Sequence, residues 1–137
     1  MNKVFLDTNV LIYSTNYDSK YFSETNEYIN ESKLSFYTSS KNLSEFLSVV
    51  TRKPANPLKI EQALLLIENF ISKFIILYPD SNSFSVFKEL LKKYKPLGLK
   101  IHDFEIVSIA ISNNINSILT YNEKDFIEVK EVSLIKI

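Results

Sequence analysis

Short apolar runs alternating with longer segments of helical spacing constrain this chain most. Runs of β-type composition fall at residues 3–6, 34–38, 74–78, 117–120 and 132–137. Between them, helical spacing covers 10–15 and 21–30, then 41–52, 60–72, 83–94 and 102–113. Pro54, Pro57, Pro79 and Pro96 lie at the edges of these segments, where proline ends or precedes a helix. Alternation of this kind predicts a three-layer α/β/α domain around a central, mainly parallel sheet of five strands.

A length of 137 residues suits one domain, spanning 1–137, with a single core. No linker, low-complexity tract or repeat interrupts it. The absence of cysteine excludes disulfides and thiolate-bound zinc and favours a reducing interior. With no basic segment leading into an apolar core and no apolar run long enough to span a bilayer, a cytoplasmic protein is expected. Sixteen basic and sixteen acidic residues cancel, so net charge announces no polyanion binder. Locally, Lys88, Lys92, Lys93, Lys95 and Lys100 stand against Glu89 alone; such a run is either a solvated helix face or a phosphate-binding patch.

Parallel sheets place ligands at the carboxyl ends of their strands, where strand order reverses. Four carboxylates are candidates for that edge. Asp7 interrupts the apolar run FLDTNVLIY directly after the first strand, as a helix cap with Thr8 and Asn9 or as a cation ligand. Glu45, in NLSEFLSVV, points away from the stripe of Leu43, Phe46, Leu47 and Val50; solvent, a cleft, or a capping box with Asn42 would each account for it. Asp103, in HDFEIVSIAIS, heads the apolar face of Ile106, Val107, Ile109 and Ala110, with Glu105, Ser108 and Ser112 on the polar side. There an unpaired charge costs several kcal/mol, unless Asp103 is an N-cap assisted by His102. Asp125 follows the strand in ILTYNEKDF, as a turn residue with Asn122 or as a fourth acid. Grouping all four without a counter-ion would raise their pKa values, and an all-oxygen set suits Mg²⁺ or Mn²⁺. The lone His102 is given no metal role.

LDTNVLIY, NLSEFLSVV, HDFEIVSIAIS and ILTYNEKDF, in this order and spacing, make the chain resemble the PIN-domain ribonucleases, and among them the compact VapC-like toxins of toxin–antitoxin pairs. The resemblance implies that Asp7, Glu45 and Asp103 are metal ligands and catalytic acids, with Asp125 as the less strictly kept fourth. Many members carry a further acid where this chain has Asn122, which orients a water or phosphate but adds no charge. Thr8, Asn9 and Ser40 become supporting donors. The implied activity is metal-assisted hydrolysis of RNA, leaving 5′-phosphate and 3′-hydroxyl ends, with Arg52, Lys92, Lys93 and Lys95 as candidates for holding the strand. Single-stranded loops of tRNA or another structured RNA are the expected targets. A homodimer and a cognate antitoxin covering the acidic groove are also implied, with Tyr13, Tyr21, Phe22 and Tyr28 as candidate groove residues.

Other readings are a PIN nuclease of RNA maturation, or a non-catalytic PIN-like module binding RNA or protein. A phosphoacceptor receiver fits poorly, because it wants an acidic pair after the first strand and a lysine after the fifth. A haloacid-dehalogenase-type phosphatase needs an acid where this chain has Asn9.

Overall fold

The computed structural model describes residues 2–137. Five strands form one sheet: β1 (Lys3–Leu6), β2 (Ser35–Ser39), β3 (Ile75–Leu77), β4 (Ser117–Leu119) and β5 (Ser133–Ile135). Their order is β3-β2-β1-β4-β5, and every pairing is parallel. Six helices connect them: α1 (Thr8–Thr15), α2 (Phe22–Glu31), α3 (Ser40–Arg52), α4 (Ile60–Lys73), α5 (Ser81–Tyr94) and α6 (Lys100–Ser112). A short 3₁₀ turn, Glu123–Asp125, follows β4. The expected three-layer α/β/α architecture is what the chain adopts.

The layers follow from the strand period. Successive side chains of a strand face opposite sides of the sheet. Accordingly Val4 and Leu6 of β1 join a core with Val10, Leu11, Phe46, Ala63 and Phe70 of α1, α3 and α4, while Phe5 joins a second core with Leu90, Phe104 and Val107 of α5 and α6. The same division separates Leu119 from Ile118 in β4. Because β1 is buried on both faces, it reads as an uninterrupted apolar run rather than an alternating one.

Two expectations about helix faces are corrected. Ser108 is buried and not on a polar side of α6: its hydroxyl returns to the Phe104 carbonyl at 2.6 Å, which satisfies it inside the core. Asp103 is not the N-cap of α6 either. That position belongs to Leu99, without a side-chain cap, and Asp103 lies in the first helical turn.

Strand order reverses at β1, which sits between β2 and β4. The carboxyl ends of β1 and β4 therefore lie side by side, and the Asp7 N–H extends the ladder to the Leu119 carbonyl at 3.0 Å. Among the described residues, no helix is long and apolar enough to cross a membrane.

Candidate active site

Asp7 takes the first position after β1 and is the N-cap of α1, so it is a helix cap in addition to an acid at the sheet edge. Its Oδ1 accepts from the Thr8 N–H at 2.9 Å. Its Oδ2 accepts from the Thr120 hydroxyl at 2.8 Å and from Asn9 Nδ2 at 3.3 Å. The Asn9 side chain ties the two strand ends together: Nδ2 also reaches Thr120 Oγ1 at 3.2 Å, and Oδ1 accepts from the Tyr121 N–H at 3.1 Å. All these donors are uncharged. Burial pushes the Asp7 carboxyl up to about 6, against the lowering effect of Thr120 and Thr8, and Glu45 and Asp125 push in the same direction as burial.

Asp103 comes to the same edge from α6. Partial burial raises its carboxyl to about 7, followed by repulsion from Asp125 and Asp7 and, more weakly, Glu45, while Lys100 opposes the shift. Lys100 also reaches the Lys124 carbonyl at 3.4 Å. Asp125, held by the 3₁₀ turn and by the buried Phe126 that follows, accepts a short hydrogen bond from Asn122 Nδ2. Glu45 is exposed on α3, on the side away from the buried Phe46 and Val50. Thus Asp125 and Glu45 both raise Asp7 and Asp103, and Asp7 raises Asp103, at one edge of the sheet. Among the described residues no three His, Cys, Asp or Glu side chains stand close enough together to form a ready metal site.

The cap of α3 differs from expectation. Ser39 occupies the N-cap and its hydroxyl accepts from the Asn42 N–H at 3.3 Å; Asn42 and Glu45 make no capping box, and Ser40 is only the first helical residue. Asn42 is fully buried. Its Oδ1 accepts from the Ser39 hydroxyl and its Nδ2 donates to Thr8 Oγ1 at 2.9 Å. A salt bridge at 3.5 Å between Lys41 and Glu105 joins α3 to α6 across this edge.

Two of the three lysine candidates pair with acids. Lys93 pairs with Glu131 at 2.6 Å, Lys92 with Glu89 at 3.6 Å, and Lys95 closes α5 in the left-handed region with φ 52°. Arg52, exposed at the end of α3, donates to Ser48 at 3.3 Å.

The sequence profile of the PIN domain matches residues 4–132, nearly the whole chain. The chain belongs to the PIN domain family. Among solved structures, this PIN domain is similar to VapBC2 from Rickettsia felis bound to a DNA fragment from its promoter, with a TM-score of 0.72 and 23% identity over 97% of both chains. It is also similar to DNA-bound VapBC from Salmonella typhimurium, with a TM-score of 0.70 and 25% identity over 98% of both. VapC20 of Mycobacterium tuberculosis, a toxin that cleaves the sarcin–ricin loop, has a TM-score of 0.72 at 10% identity, over 92% of this chain and 95% of that one. No curated protein matches.

Three members of this PIN domain's edge escape a reading of the sequence: Thr120, Ser39 and Asn42. Thr120 directly follows β4 and Ser39 ends β2, and both look like ordinary turn residues. Asn42 carries a visible signal, a polar side chain four positions before Phe46 of the apolar stripe, yet its partner Thr8 lies 34 positions away.

Proposed function

We propose that this PIN domain is a metal-dependent endoribonuclease and the toxin of a toxin–antitoxin pair. One observation carries the reading: Asp7 and Asp103, raised to about 6 and about 7, share a sheet edge with Asp125 and Glu45. Excess negative charge of this kind is unfavourable unless something offsets it. Lys100 is the cation that acts on Asp103, and it leaves the acids in excess. The donor set fits a hard divalent ion, since it is all oxygen and borderline nitrogen or sulfur ligands are missing from it.

Asp7, Asp103, Glu45 and Asp125 would hold the ion, Mg²⁺ or Mn²⁺. When bound, it supplies charge neutralisation and polarisation of a phosphodiester oxygen. The chain's own residues do the rest. Thr120, Asn9 and the Thr8 N–H fix the orientation of the Asp7 carboxylate, which keeps both oxygens from rotating away. Asn122 holds Asp125 in the same manner. One oxygen of this carboxylate set would accept the proton of an attacking water.

The substrate in this reading is RNA presented as a single strand, cut to 5′-phosphate and 3′-hydroxyl ends. The partner is an antitoxin, and the groove between α1, α2 and α4 suits an apolar helix: a cavity of about 230 Å³ lined by Tyr17, Phe22, Leu66 and Phe70. Of the aromatic candidates, Phe22 lines this groove. Tyr13 and Tyr21 pack instead on Tyr121, and Tyr28 packs on Phe36. A homodimer completes the proposed assembly.

The test is incubation of a mixed structured RNA pool with purified protein in Mg²⁺, Mn²⁺ or chelator, beside Asp7→Asn purified identically. Metal-dependent cutting that vanishes in the variant, with 5′-phosphate ends, is expected. Equal cutting by both proteins would remove the assignment, and RNA binding without cutting would favour a binding module.

A further inference from the structure

A second cavity opens at the carboxyl ends of β4 and β5. It measures about 440 Å³, within the range that takes a small organic ligand. Its lining combines the rings of Tyr21 and Tyr121 with Asn122, Lys124, Lys136 and Glu24. Thr120 forms part of the same wall, and its hydroxyl is the one that contacts Asp7. Asn122, another wall residue, holds Asp125. Two wall residues of the cavity thus hold acids of the edge beside it.

Its chemistry differs from that of the edge. The two lysines are matched by Glu24 and Glu123, and Lys136 pairs with Glu123 at 3.6 Å. Balanced charge beside two aromatic rings favours a flat, neutral, polar-rimmed group over a phosphate. The rings are held in place: Tyr21 and Tyr121 pack with centroids 4.5 Å apart, and the Tyr121 hydroxyl shares a 2.7 Å hydrogen bond with Thr25. A stacking surface fixed beforehand loses little entropy on binding.

We propose that this cavity receives a nucleobase of the RNA strand, the one adjoining the phosphodiester at the acidic edge, stacked on Tyr21. The inference rests on the nuclease reading for its substrate class. Base–aromatic stacking tolerates any base, so the cavity positions the strand and leaves sequence choice to other contacts.

The experiment is a ¹⁵N-NMR titration of the Mg²⁺-loaded protein with AMP, and separately with ribose 5-phosphate. The expected result is shifts at the Tyr121, Asn122 and Lys136 amides with AMP, several-fold smaller with ribose 5-phosphate. Tyr21→Leu should weaken AMP binding about tenfold, whereas Tyr21→Phe retains it. The leucine keeps apolar bulk, and a dispersed spectrum certifies its fold. Equal responses to the two ligands, shifts confined to other regions, or wild-type affinity in Tyr21→Leu would each overturn the inference. RNA cleavage without an AMP response sinks the cavity and spares the nuclease; an AMP response at the cavity without any cleavage does the reverse.

Discussion

The Thr120 hydroxyl donates to Asp7 Oδ2 at 2.8 Å, joining residues 113 positions apart across the ends of β4 and β1. This bond holds down a carboxyl that burial drives up. Thr120→Val keeps the shape and removes the donor. It should raise the Asp7 pKa further and weaken divalent-ion binding, and it should cost about 1.5–3 kcal/mol in urea denaturation at pH 8, the range for a hydrogen bond to a charged group. Unchanged metal affinity would mean that Thr120 does not support the acid.

Asn42 lies buried between Ser39 and Thr8, both themselves buried. Asn42→Ala leaves their hydroxyls without this partner and opens a small void. A loss of about 2–3 kcal/mol is expected by chemical denaturation. Asn42→Asp should be worse at neutral pH, because it adds another carboxylate behind an acidic edge.

Stability should depend on pH in an unusual direction when metal is absent. Asp7 and Asp103 have folded-state values of about 6 and about 7, above the ordinary value of 3.8. The folded state thus binds these protons more tightly, so their contribution is fully present below pH 3.8 and is lost as pH rises through 6 and 7. For Asp7 the shift corresponds to roughly 3 kcal/mol. In chelator, Tm should fall between about pH 4 and 7, the window set by these shifts, and Asp7→Asn should flatten the fall. Saturating Mg²⁺ at the upper end should restore Tm. A metal-free profile that is the same in wild type and variant would contradict the assigned cause.

The lysines separate by their partners. Lys93 is already neutralised by Glu131 at 2.6 Å, and the Tyr94 hydroxyl bonds the other oxygen of the same carboxylate at 2.6 Å. Lys100 stands at the acidic edge and acts on Asp103. In salt titrations of RNA binding, Lys100→Ala should reduce the slope of log K against log salt by about 0.7, the single-strand value per phosphate contact. Lys93→Ala should change it less. The opposite ranking would move the strand to the α5 side.

Much of this was legible in the sequence because it is local. The strand and helix periods, the prolines at segment edges and the acids just past strand ends require no knowledge of distant residues, and β1 (Lys3–Leu6) coincides with its expected run. What escaped depends on pairing through space. Ser39 rather than Ser40 caps α3 because the strand runs one residue further than composition indicates. Ser108 looks polar until the Phe104 carbonyl absorbs its hydroxyl and α6 is buried almost all round. Lys93 looks free until Glu131, 38 positions on, folds back against α5.

The most direct test of the central claim is Mn²⁺ binding at neutral pH, followed by electron paramagnetic resonance, on wild type, Asp7→Asn and Asp103→Asn. The account predicts saturable binding to the wild type and a loss of affinity of at least about tenfold in each variant, in line with the removal of a charged ligand. Wild-type affinity in both variants would show that these carboxylates do not hold the ion.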